Sequence, residues 1–169
     1  MNLRKVLPPV CAVLVLGCVR DKPYAFDQPN LQVRATFPGE PRQAQYPEDT
    51  PFGPILWYSF AYTPPGRMDL NYRVDVGNLP PGTRGGDTTP AALATFQGFL
   101  AKRLGGTLER TDLPPARGPG FSYRIRTGAK SWVEGIVVLK RGRLHHAQAT
   151  VDRADDPNLT TFLGSFAVD

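Results

Sequence analysis

Cysteine is confined to positions 11 and 18 of this 169-residue chain, so the long remainder folds without a disulfide. It also offers no thiolate to a metal or to nucleophilic chemistry. Histidine is almost as scarce, and the chain's pair, His145 and His146, is adjacent. Neighbouring residues of a strand point to opposite faces, so the two rings do not converge on one metal. No Gly-x-Ser-x-Gly elbow is present. Asp155-Asp156 reads as a helix cap, and Asp69 and Asp75 on one strand stand roughly 20 Å apart, too far for paired acid–base work. The Gly/Pro-rich stretch from Gly77 to Thr89 lacks the Gly-Lys-Ser/Thr ending of a phosphate cradle. A formal charge of +5 falls short of a nucleic-acid-binding composition. No catalytic residue, cofactor, metal or nucleic-acid partner is therefore expected.

What the chain does have begins at its amino end. Arg4 and Lys5 precede an apolar run from Val6 to Gly17, interrupted by Pro8-Pro9 and too short to cross a bilayer. Val15-Leu16-Gly17-Cys18 resembles the lipobox of bacterial lipoproteins. That resemblance implies a signal peptide over 1–17, a lipidated Cys18, and a tether over 18–30 ahead of one domain at 31–169. Acyl chains at about 0.8 kcal/mol per buried CH₂ would hold such a protein on a membrane. Val19 follows Cys18 where enteric-type sorting uses Asp for inner-membrane retention, so outer-membrane delivery facing the periplasm is expected.

The body reads as strands and two helices. Leu31, Val33, Ala35 and Phe37 alternate with polar residues, which predicts a half-buried strand. A Pro-rich irregular passage to Pro54 follows. Ile55 to Tyr62 is rich in aromatics and predicts a strand with Leu56, Tyr58, Phe60 and Tyr62 on a core face under a helix. Met68 to Val76 alternates with Asp69, Asn71, Arg73 and Asp75, which predicts a wet second face. Thr89 and Pro90 open a helix whose apolar residues Leu93, Phe96, Leu100 and Leu104 precede Gly105-Gly106. A short strand near Thr107 to Leu113 and another over Phe121 to Ile125 come next. Asp156-Pro157 opens a second helix, and Ser165 to Asp169 ends the chain as an edge strand or tail.

Ser131 to Val151 is the organising stretch. Its first half is apolar at both parities, as in a strand covered on both faces, and Arg141-Gly142 supplies the turn to a returning strand. Lys140, Arg141 and Arg143 crowd the tip of this hairpin, with His146, Arg124 and Arg126 on strands nearby. With His145 partly buried and His146 on the surface, these residues define an expected basic edge for an anionic lipid or an acidic partner.

The order of turn and core motifs resembles the PsbP-like fold family, whose members include extrinsic photosystem proteins, DcrB-type bacterial lipoproteins and a eukaryotic Ran-binding protein. The matching residues are Phe37-Pro38-Gly39-Glu40-Pro41, Thr50-Pro51-Phe52-Gly53, Asn78-Leu79-Pro80 and Leu104-Gly105-Gly106. Gly118-Pro119-Gly120, Gly142-Arg143-Leu144 and Phe162-Leu163-Gly164-Ser165-Phe166 complete the series. His145 departs from the Tyr that similar bacterial proteins place there. The resemblance implies an α+β domain, a central antiparallel β-sheet with helices packed on its faces, and members that mostly bind or assist other proteins. The expected function is a non-catalytic protein-binding or assembly module, anchored through Cys18 and meeting an envelope protein. The alternative is a small periplasmic ligand-binding protein or hydrolase that uses the 77–89 loop as a lid.

Overall fold

The computed structural model describes residues 22–83 and 89–169. The expected signal peptide, Cys18 and part of the 77–89 loop therefore lie outside the described residues. The chain runs β1 (Tyr24–Gln28), β2 (Val33–Phe37), β3 (Arg42–Thr50), β4 (Gly53–Tyr62), β5 (Asn71–Asn78) and α1 (Thr89–Leu104). It continues with β6 (Glu109–Asp112), β7 (Gly120–Arg126), β8 (Trp132–Lys140), β9 (Arg143–Val151), α2 (Pro157–Ser165) and β10 (Ala167–Val168).

Seven strands form one antiparallel sheet in the order β3-β4-β5-β9-β8-β7-β6, and β1-β2-β10 form a second, smaller one. The large sheet is two meanders joined by β5 and β9, paired from Asn71↔Thr150 to Asn78↔Arg143. β9 lies at its centre beside β8, and both strands are buried on both faces, as their two-parity apolar pattern requires. Arg141 and Gly142 turn between them with φ of 52° and 72°, the double left-handed geometry whose twist matches a hairpin.

Strand alternation divides the core in two. One face presents Ile55, Trp57, Phe121, Ile125, Val137 and Leu144 to Leu93, Phe96 and Leu100 of α1. The other presents Phe60, Tyr72, Val74, Val76, Ala147 and Ala149 to the small sheet and α2. Phe26 meets Phe60 at 4.7 Å between ring centroids, and Phe37 meets Phe162 at 4.9 Å. Asp156 caps α2 by accepting from the Asn158 and Leu159 amides at 2.8 and 3.2 Å.

Five expectations change. The antiparallel sheet carries a helix on one face, but its other face is covered mainly by the second sheet together with α2, so the domain is richer in strand than helices on a sheet would make it. The tether expected over 18–30 contains β1, whose Phe26 is buried on the body. The irregular passage before Pro54 contains β3, an edge strand on which the missing N–H of Pro47 is tolerated. The predicted wet face of β5 lies under α1: Asp75 is 1% exposed. Likewise Phe60 and Tyr62 pack towards the small sheet rather than under a helix, while Leu56 stays exposed.

Gly135, in β8, sits where Tyr123 crosses the sheet. A β-carbon there would lie 2.6 Å from the Tyr123 ring and 2.7 Å from the Ala147 carbonyl oxygen. Gly135→Ala is expected to destabilise the domain by about 1–3 kcal/mol. Chemical denaturation should show a lower midpoint with an unchanged slope; a midpoint at or above the parent's contradicts this packing.

Candidate functional site

The small sheet and α2 do not cover their face of the large sheet evenly. The residues buried there come from β4, β5, β8 and β9. Over β6 and β7 the same face carries polar side chains, because alternation turns Phe121, Tyr123 and Ile125 towards α1 and leaves Ser122, Arg124 and Arg126 on the opposite side. Register brings Glu109, Arg124 and Glu134 into one row across three strands. Arg124 Nε donates to Glu134 Oε1 at 2.7 Å.

Trp132 stands in the next row, half-buried. The guanidinium of Arg124 lies 5.8 Å from its ring centroid and that of Arg126 lies 5.5 Å away, both within cation–π range. Arg126 is held in place by donating to the carbonyls of Gly128 and Ala129 at 3.2 and 3.0 Å. Arg117, on the loop between β6 and β7, donates to the carbonyl oxygens of Leu163 and Phe166. There its positive charge meets the negative end of α2. Glu109, Thr111, Arg117, Arg124, Glu134 and Leu163 line the resulting groove of about 390 Å³.

The expected basic edge at the hairpin tip is built differently. Lys140 Nζ donates to the Val168 carbonyl at 3.2 Å, and Arg143 donates to Asn78 Oδ1 at 3.1 Å and to the Asn30 carbonyl at 2.9 Å. These two cations strap the small sheet to the hairpin, and Arg141 is left exposed at the turn. His146 is not a surface residue. It is 2% exposed beneath α1, with its Nε2 2.8 Å from Tyr123 Oη and its ring edge-on to Phe96. His145, expected to be partly buried, is fully so, and its Nε2 donates to the Leu31 carbonyl at 3.0 Å. The structure thus separates Lys140, Arg141 and Arg143 from His146 and places Arg124 and Arg126 together around Trp132.

These layers, a large antiparallel sheet with a helix on one face and a small sheet with a second helix on the other, make a PsbP-like fold. Among solved structures the chain is similar to cyanobacterial PsbP (CyanoP) from Synechocystis sp. PCC 6803, known from its solution structure. The TM-score is 0.53 at 12% identity, over 90% of this chain and 96% of that one, a likeness that shows the fold alone. No protein-family model matches the chain, and no curated protein matches it.

The buried histidines make stability depend on pH. Desolvation lowers the pKa of both below the ordinary 6.5, so the unfolded chain takes up protons first as pH falls. Their contribution is fully present above that value and is lost as pH drops below it. Asp75, whose pKa burial raises, acts in the opposite sense. The thermal midpoint is expected to fall between about pH 7.5 and pH 5.5, and His145→Gln to remove part of that fall. A midpoint that does not fall contradicts neutral buried imidazoles.

Proposed function

We propose that this chain is a non-catalytic protein-docking module of the bacterial cell envelope, tethered to the membrane through Cys18, and that the open face of β6 to β8 receives its partner. The observation that carries the reading is Trp132, half-buried at the rim of the second core with Arg124 and Arg126 both in cation–π range, where the polar face of β6 and β7 extends beyond the small sheet. Tryptophan and arginine dominate the energetic centres of protein interfaces. Here both are pre-ordered, so docking immobilises little that is free beforehand. The groove carries Arg117 and Arg124 against Glu109 and Glu134, with Arg126 and Trp132 in the next row, which suits a partner presenting an acidic group beside an apolar one.

Support for the tether is the Val15-Leu16-Gly17-Cys18 lipobox and the resemblance to DcrB-type lipoproteins. β1 begins at Tyr24, so five residues separate Cys18 from the folded body. Such an arm spans at most about 20 Å, which keeps the small sheet close to the bilayer. Val19 after Cys18 favours the outer membrane.

The test is recovery of an envelope partner with the full-length protein in mild detergent. Trp132→Ala and Arg124→Gln are each expected to cut recovery at least about tenfold while circular dichroism shows the domain still folded. Arg141→Glu, at the exposed hairpin turn, should leave recovery intact. Loss with Arg141→Glu alone would return the interface to the hairpin tip. Cys18→Ala is expected to move the protein to the soluble fraction, and its retention on membranes overturns the tether.

A further inference from the structure

The α1 side of the large sheet holds a set of polar groups that docking on the opposite face does not use. Arg73 and Asp75 of β5 point under α1, where β4 contributes Trp57 and Ser59, β3 Tyr46, and β9 His146 and Gln148. Ser59, Asp75 and His146 are direct cross-strand neighbours, as are Ala61, Arg73 and Gln148. At its inner end the set is satisfied: Tyr123 Oη lies 2.8 Å from His146 Nε2 and 3.3 Å from Gln148 Oε1.

The outer end is not satisfied. Arg73 Nε is 2.8 Å from Asp75 Oδ2 but is not aligned to donate to it. Among the described residues, Asp75 Oδ1, Tyr46 Oη and Trp57 Nε1 are buried without a hydrogen-bond partner. Buried polar groups are nearly always paired, so three donors and one acceptor left together mark a place where another molecule's atoms belong. Donors are in excess, and the cations Arg73 and Arg103 stand beside the carboxyl groups of Asp75 and Glu48. The Arg73 side chain is 20% exposed, and Arg103 of α1 and Glu48 of β3 form a partly exposed 3.1 Å ion pair nearby, so the cluster reaches solvent through these charged groups.

An apolar groove begins beside it. Ala61 neighbours Arg73, and Ala44 neighbours Ser59; both alanines line a groove of about 540 Å³ with Arg42, Tyr62, Pro65 and Met68. Met68 is 88% exposed. We propose that this edge binds a small amphiphile with a carboxylate head and an aliphatic tail, the head towards Arg73 and Tyr46, the tail along Ala61 to Met68. A carboxylate matches the planar guanidinium fork and accepts from the phenol and indole donors. Burial pushes Asp75 towards its neutral acid, the form that tolerates an anion beside it and can donate to it.

The probe is decanoate below its micelle concentration, titrated into the full chain carrying Cys18→Ala so that no detergent competes, with decanol as the uncharged control. Decanoate is expected to bind at least about tenfold more tightly than decanol. Tyr46→Phe and the charge-neutral double variant Arg73→Gln/Asp75→Asn should each remove that preference, whereas Trp132→Ala should not. Amide shifts in a ¹⁵N spectrum should centre on Ala61, Met68 and Arg73. Equal affinity for decanoate and decanol, no binding of either, or shifts centred on β6 to β8 would each overturn the proposal.

Discussion

The rest of the structure depends on the pairing of β5 with β9. Among the described strands of the large sheet, every other pairing joins strands consecutive in the chain, while this one closes a loop of about sixty residues that contains α1, β6, β7 and β8. A contact so distant in sequence costs closure entropy that burial must offset. The offset comes from both faces at once: Val74 and Val76 beside Ala147 and Ala149 on one, Asp75 beside His146 on the other. Because side chains alternate, a slip of one residue would send Asp75 towards the phenylalanines of the second core. The buried polar pair at the seam therefore helps specify the register, at some cost in stability.

The same hairpin that supplies β9 holds the second layer. Lys140, Arg143 and His145 each donate to a backbone carbonyl of the segment around the small sheet: Val168, Asn30 and Leu31. The bonds from the charged Lys140 and Arg143 are stronger than the one from the neutral His145, and together they fix the small sheet at one end of the large sheet's face. A small layer fixed at that end leaves β6 and β7 bare. The open face follows from the strap rather than from any irregularity of the open strands themselves, and Arg117 completes it by holding the end of α2 at the groove wall.

Much of this was legible in the residues. The two-parity apolar run of β8, the Arg141-Gly142 turn, the Asp156-Pro157 cap and the Thr89-to-Gly105 helix all carry local signals, and each element formed where those signals lie. β1 and β3 were missed for a physical reason. β1 buries Phe26 alone, and β3 has no buried residue at all, so neither shows an alternation of polarity. The polar residues of β5 misled because alternation reports polarity, not exposure. Asp75 sits beside Arg73 on that face and burial pushes it towards its neutral acid, so the face can lie under a helix. His146 was misplaced by the same logic. The Arg124–Trp132–Arg126 arrangement is spread over two strands, and nothing in either strand alone shows that register will stack them.

Geometry also links the two proposed surfaces to the tether. The small sheet and the open groove lie on the same side of the large sheet, and the polar edge between β3 and α1 opens on the other. On the tethered reading, the short arm before Tyr24 holds the small sheet near the bilayer, so a partner in the groove must also approach close to the membrane. A membrane-associated partner then gains effective concentration from confinement to the same surface, which a freely soluble competitor does not. A moderate intrinsic affinity at Trp132 would suffice for such a partner, in keeping with a groove of modest size rimmed by paired charges rather than a broad apolar patch.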